Sequence, residues 1–316
     1  MLMKALYVNN GLALEDVTLP EPNSGEVRLK IRLGGICNTD LEIVKGYMNF
    51  SGVLGHEFVA EVEAGSPDLI GKRVVGEINV ACGTCDFCQR GIPSQCRNRT
   101  TVGIDRHDGA FAEHMTLTTN NIYVVPDSVT DEQAVFTEPL AAALQILDQL
   151  EVTPDDRVVV IGAGKLGMLC AQVLKHTGAD LSVIIRHDKQ ANLLKKWGIR
   201  AVTRDMLDSS QATIVVDCTG NEEGFADALD IVQARGTIVL KSTYVGIPKV
   251  NLTQVAIDEI TVLGSRCGPF ATALDYLEKG LIDVESMIEA TYPLSDGLVA
   301  MEHAAQKGML KVLLKM

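Results

Sequence analysis

Apolar positions change their spacing along the chain. Up to about residue 125 they alternate with polar ones over short stretches broken by Gly, Pro and Asn, most clearly at Val27, Leu29, Ile31 and Leu33. Successive strand residues face opposite sides of a sheet, so this region is expected to be β-rich, with little helical periodicity. From Asp155 unbroken apolar runs take over, at Val158 to Ile161, Ser182 to Ile185, Thr213 to Val216 and Thr237 to Leu240, with helical stretches between them. That alternation predicts a doubly wound parallel sheet, an α/β fold. The first intervening helix puts Leu166, Leu169, Cys170, Val173 and Leu174 on one stripe, and Gly178 marks its end. Beyond Leu263, helices are expected near Thr272 to Lys279 and Ser295 to Lys307, closed by Gly280 and Gly308. This tail is expected to rejoin the first region. No internal repeat or low-complexity segment supports a solenoid or a flexible-linker architecture.

At 316 residues the chain is long enough for two domains. With 47% hydrophobic and 22% charged residues it is too apolar for a disordered polymer. Lys and Arg number 28 against 41 Asp and Glu, a net charge of −13 that repels phosphate backbones and anionic lipid. Nucleic acid and membrane partners are therefore not expected. Met1 to Asn10 holds one basic residue and no apolar h-region, and no apolar run reaches the roughly 18 residues of a membrane span. The expected location is the cytoplasm, where clustered cysteines hold metal or do chemistry more often than they form disulfides.

Strand Val158 to Ile161 runs into Gly162-Ala163-Gly164-Lys165-Leu166-Gly167 and then into the amphipathic helix. A dinucleotide-binding turn needs this order: Gly162 for the tight turn, Gly164 for approach of backbone to pyrophosphate, Gly167 for close packing of helix on strand. A second signal is Cys82, Cys85, Cys88 and Cys96, spaced C-x2-C-x2-C-x7-C with Gly83, Gly91 and Pro93 between them. Four thiolates suit tetrahedral zinc, and a site closed by four protein ligands is structural. A disulfide pair and an iron–sulfur cluster remain open on spacing alone. Cys37 and His56, in Gly-flanked segments, read by themselves as a buried thiol and an unrelated histidine.

Together, Gly35-Ile36-Cys37-Asn38-Thr39-Asp40, Gly55-His56-Glu57, the four-cysteine lobe, Glu138-Pro139 and the glycine loop occur in the order found in zinc-dependent medium-chain alcohol dehydrogenases. The chain resembles that family, in its polyol and threonine dehydrogenase-like branch, over essentially its whole length. The resemblance implies a GroES-like β-rich catalytic domain at 1–140 and 266–316, with a structural-zinc lobe at about 80–98, and a Rossmann coenzyme domain at 141–265. It implies that Cys37 and His56 bind a catalytic zinc, that Glu138 takes the third position, and that Glu57 binds the metal or stands just behind it. Asp40 resembles the carboxylate that fixes the tautomer of the ligand histidine. Thr39 resembles the hydroxyl that receives the alcohol proton, whereas Glu42 replaces a relay histidine found in some members.

The implied reaction is reversible hydride transfer between a secondary alcohol or polyol-like substrate and a nicotinamide coenzyme, with zinc stabilising the alkoxide. The family also implies a homodimer or homotetramer formed through the Rossmann sheets. Two rival readings are a zinc-free quinone or enone reductase on the same fold, and a non-catalytic binding protein; the first leaves the Cys and His sites without a purpose and the second expects a degraded site. For the coenzyme, the family's acid that bonds the ribose 2′-hydroxyl falls on Ile185, which cannot do so. Arg186 and His187 come next and suit a 2′-phosphate, which favours NADP over NAD, with Asp188 left as a ribose partner or helix cap. His107, His114, His176 and His303, with Cys170 and Cys218, are read as ordinary surface or packing residues, and Cys267, where the chain leaves the Rossmann domain, is expected to offer its backbone to the nicotinamide but no thiol chemistry.

Overall fold

The alternating apolar residues Val27, Leu29, Ile31 and Leu33 lie in the strand Glu26–Gly35, each at most 5% exposed. In this computed structural model, which describes residues 1–244 and 247–316, the strand is central to one of two units. The first unit is Met1–Glu138 with Phe270–Met316, the second Pro139–Pro269. Residues 139–140 and 266–269, expected with the β-rich part, cluster with the second unit. There Gly268 lies so close to Ala141 that a Cβ would sit 1.9 Å from its carbonyl oxygen.

In the first unit one sheet runs Ile122–Val124, Arg73–Gly76, Glu57–Ala64, Glu26–Gly35, Lys311–Lys315, Ile288–Pro293, with His114–Thr118 also paired to Glu26–Gly35. The tail thus rejoins the first unit as a strand antiparallel to Glu26–Gly35, with Leu313 opposite Gly35. Gly35 is also opposite Glu57 on its other side, so the register gathers three distant segments around one point. Leu6, Ile36, Ile43, Leu54, Phe111, Val312 and Leu314 pack beside it as a core.

In the second unit the parallel strands are β1 (Arg157–Ile161), β2 (Asp180–Ile184), β3 (Arg200–Val202), β4 (Ala212–Asp217), β5 (Val232–Leu240) and β6 (Thr261–Gly264). Their order, β3-β2-β1-β4-β5-β6, is that of a doubly wound dinucleotide fold. Helices α1 (Lys165–Lys175), α2 (Asp188–Lys196) and α3 (Glu222–Ile231) lie between strands.

The structure corrects several boundaries. The second strand ends at Ile184, so Ile185 lies beyond it. Two strands, β3 and β6, go unread in the sequence because at three and four residues they are too short to show a period. Helix Asn38–Val44 escapes for the same reason, and Thr137–Gln149 because it joins the two textures. The tail helices are Phe270–Glu278 and Gly297–Ala304, the latter shortened by a 3-10 turn at Leu294–Asp296. Among the described residues no helix is long and apolar enough to cross a membrane.

Candidate metal centres and dinucleotide turn

Strand Glu26–Gly35 delivers the chain to Cys37, the N-cap of helix Asn38–Val44. The Cys37 backbone N–H donates to Asp40 Oδ2 at 2.8 Å, a capping bond that fixes where the thiol and the carboxylate stand. Asp40 is fully buried, and its other oxygen lies 3.1 Å from Nδ1 of His56, itself 3% exposed. Engaging Nδ1 in this way leaves Nε2 as the metal-binding nitrogen. His56 is placed by Gly55, whose φ of +97° and contact with the Phe111 ring, 2.3 Å from where a Cβ would stand, exclude other residues. At Gly35 a Cβ would lie 2.6 Å from Glu57 Oε2 and displace that carboxylate.

Ligand atoms of Cys37, His56 and Glu57 all lie within 4.8 Å of one another. Glu138, in the first turn of helix Thr137–Gln149, is outside that compact triplet but interacts electrostatically with it. Burial pushes its carboxyl up to about 7, opposed by His56 and reinforced by Glu57. Burial disfavours the His56 imidazolium, yet Asp40 and Cys37 outweigh it and hold the ring's pKa well above the ordinary value. Thr39 Oγ1 lies 3.8 Å from Cys37 Sγ. A thiol, an imidazole with its tautomer fixed and two carboxyls form a donor set that fits zinc, and three ligands would leave one position open. Glu42, where some family members have a relay histidine, pairs with Lys45 at 2.8 Å on the surface.

Sequence reading missed Lys311. It begins the last strand, is 1% exposed, forms an ion pair with Glu57, and its ammonium lies 5.5 Å from the centroid of the Phe136 ring. Only a lysine opening an apolar strand could have hinted at it. Its partner is 254 residues away.

In the cysteine lobe, Gly83 and Gly91 turn the chain at positive φ, and Cys85 caps the short helix Asp86–Gln89. The sulfurs stand 3.5 Å (Cys85 to Cys88), 3.8 Å (Cys85 to Cys96) and 3.5 Å (Cys82 to Cys96) apart. A zinc tetrahedron with Zn–S of about 2.3 Å has edges of about 3.8 Å, whereas a disulfide needs about 2.05 Å. Hydrogen bonds from Thr84 pull Cys82 down to about 5, while desolvation and neighbouring sulfurs push Cys88 up to about 12. The four thiols cannot all ionise together without a cation, which is the requirement a divalent metal meets. Between 82 and 98 only Cys96 is buried, so the lobe has no core of its own.

In the second unit β1 runs into a turn whose three glycines meet three different local conditions. Gly162 has φ of +96°, Gly164 caps α1 and has open space where a Cβ would be, and Gly167 would put a Cβ 1.8 Å from the Gly162 carbonyl oxygen. Ala163, Lys165 and Leu166 complete the turn and open the helix. Past β2, Arg186 is exposed, and His187 rather than Asp188 is the N-cap of α2. Of the residues set aside in the sequence, Cys170 and Cys218 meet at 4.0 Å between α1 and the end of β4, and His303 Nδ1 lies 3.0 Å from the Tyr292 hydroxyl.

Residues 23–127 match the alcohol dehydrogenase GroES-like domain, and residues 166–279 the zinc-binding dehydrogenase domain. An L-threonine 3-dehydrogenase of Chelativorans sp. (strain BNC1) is 34% identical over 264 residues, 76% of each chain. The chain belongs to the zinc-binding alcohol dehydrogenase family. D-arabinitol dehydrogenase 1 of Uromyces fabae is 28% identical over 99% of this chain and 97% of its own. Among solved structures, a zinc-binding dehydrogenase from Sinorhizobium meliloti 1021 bound to NADP superposes with a TM-score of 0.90 at 26% identity, covering all of both chains. An alcohol dehydrogenase from E. coli CFT073 complexed with NADH also reaches 0.90, at 27% identity over 100% of this chain and 99% of its own. The family accounts for both the β-rich unit and the doubly wound one.

Proposed function

We propose that this dehydrogenase oxidises a secondary alcohol or polyol-like substrate reversibly, passing hydride to a nicotinamide coenzyme, with NADP favoured over NAD. The observation that carries the reading is the compact set of half-buried Cys37 with buried His56 and Glu57, with Glu138 interacting electrostatically with it and Asp40 fixing the histidine tautomer. The arabinitol and threonine dehydrogenases among its relatives support the substrate class. Relatives of known structure that hold NADP and NADH support the coenzyme class.

Cys37, His56 and a carboxylate from Glu138 or Glu57 would hold the catalytic zinc, which when bound supplies Lewis acidity toward the alcohol oxygen. Thr39 takes the alcohol proton at Oγ1 and passes it outward. Asp40 accepts from the Nδ1–H of His56, so that the neutral ring presents its Nε2 lone pair to the metal, and Lys311 offsets the charge of Glu57. Cys82, Cys85, Cys88 and Cys96 would hold a second, structural zinc. In the second unit Gly162 to Gly167 receive the pyrophosphate, and Arg186 and His187 face the 2′ position. Residues 1–138 with 270–316 act as the catalytic domain, and 139–269 as the coenzyme domain. A zinc-free reductase would leave the donor set without chemistry.

The edge strand β6, with Val262 40% exposed and nearby Ile257 74% exposed, offers an apolar border for assembly as a homodimer or homotetramer. The four clustered thiols suit a reducing cytoplasm.

The test is zinc analysis of purified protein paired with a screen of polyols and secondary alcohols for coenzyme reduction. Two zinc equivalents per chain and turnover of at least one polyol or secondary alcohol are expected, with higher kcat/KM for NADP that falls in Arg186→Ala. Metal-free protein with full activity would overturn the zinc reading, and a wild type that prefers NAD would overturn the coenzyme preference.

A further inference from the structure

We propose that Glu223 is a specificity-determining residue for the coenzyme, supplying from the start of α3 the ribose-binding acid that the end of β2 lacks and sharing Arg186 with the ribose 2′ position. This rests on the coenzyme reading above. In the sheet β1 lies between β2 and β4, so the segments that leave those two strands border the glycine turn on either side. Past β2 come Ile185, whose N–H donates to the Val202 carbonyl at 2.9 Å, then Arg186, His187 and Asp188. The position at the end of β2 where the ribose 2′-hydroxyl is ordinarily met is Ile185, and Asp188, the first acid past it, opens α2.

Past β4 the chain turns through Thr219 and Gly220 to Asn221, whose Oδ1 accepts from the Gly224 N–H at 2.9 Å and caps α3. A Cβ on Gly224 would lie 1.9 Å from Thr219 Oγ1, so the helix start is packed tightly against the turn. Two acids occupy that first turn and point to different partners. Glu222 accepts from the Lys249 backbone N–H at 3.2 Å, whereas Glu223 Oε2 lies 3.9 Å from Arg186 Nη2. The ion pair therefore joins the two segments that flank the turn. Its side chains are 68% and 85% exposed, so the pair is held loosely and is open to a competing ligand.

The two coenzymes differ at this point in their chemistry. A 2′-hydroxyl donates to a carboxylate, which Glu223 provides. A 2′-phosphate only accepts, binds the Arg186 guanidinium and is repelled by Glu223. Arg186 thus pulls toward NADP and Glu223 toward NAD, and the discrimination of the wild type is narrow.

The test measures equilibrium binding of ADP and 2′,5′-ADP, coenzyme fragments without and with the 2′-phosphate, to the zinc-loaded protein. Glu223→Gln should raise the preference for 2′,5′-ADP by about threefold to fivefold, the scale of an exposed ion pair. Arg186→Ala should lower it. Glu222→Gln removes the same charge one residue away and should leave the ratio unchanged. An unchanged ratio in Glu223→Gln, or an equal shift in Glu222→Gln, overturns the inference while binding of both fragments leaves the coenzyme reading intact. A wild type that binds neither fragment overturns both.

Discussion

At the scale of single residues, the candidate metal site rests on side chains that stand behind its donor atoms. Asp40 holds the second nitrogen of His56, so Asp40→Asn should cost about 10–100-fold in metal affinity or activity while the fold survives. Zinc titration against a competing chelator checks this, and unchanged affinity would remove Asp40 from the support of the site. Lys311 is the other such group. Lys311→Met strands the buried Glu57 carboxylate, and a loss of about 3 kcal/mol is expected from urea unfolding of the zinc-free protein. Adding Glu57→Gln should restore much of that stability, because the uncompensated charge is gone; a double variant as unstable as the single one would show that packing, not charge, dominates. Lys311 and Glu57 are invisible as a pair in the sequence, since nothing local to either names the other.

At the scale of elements, the glycine turn is a tight joint within the second unit. Gly167→Ala drives a methyl into the Gly162 carbonyl, so a destabilisation of about 2–3 kcal/mol is expected, together with weaker ADP binding. A variant that melts and binds like wild type would contradict that packing. The cysteine lobe is the opposite case, an element with almost no core. Cys88→Ser should remove one zinc equivalent and lower the melting temperature before it alters turnover per folded molecule. Wild-type melting and zinc content in that variant would mean the four sulfurs hold no metal. Both elements were legible in the sequence because each rests on a short-range rule: three glycines on fixed tasks, four thiols within one loop. The helix Asn38–Val44 was not, although it places Cys37, Thr39 and Asp40, because seven residues show barely two turns of periodicity.

At the scale of the whole molecule, stripping both metals should affect the first unit far more than the second. Prolonged chelation is expected to abolish turnover and expose the lobe to protease while ADP still binds, since the glycine turn is built without metal. Loss of ADP binding in parallel with zinc would contradict that independence. The sequence alone determined the features set by local chemistry: the change from β-rich to β/α texture, the glycine turn between strand and helix, the four-thiol lobe, and an apolar Ile185 just past the second strand. Tertiary structure alone decided the features that depend on pairing across the chain. It brought Glu57 onto Lys311 through a shared sheet, left Glu138 outside the compact group of Cys37, His56 and Glu57, and faced Glu223 toward Arg186 across the turn. Turns, caps and clustered ligands are set by residues a few positions apart, whereas a charge pair between strands or loops exists only once the sheet register has closed the distance.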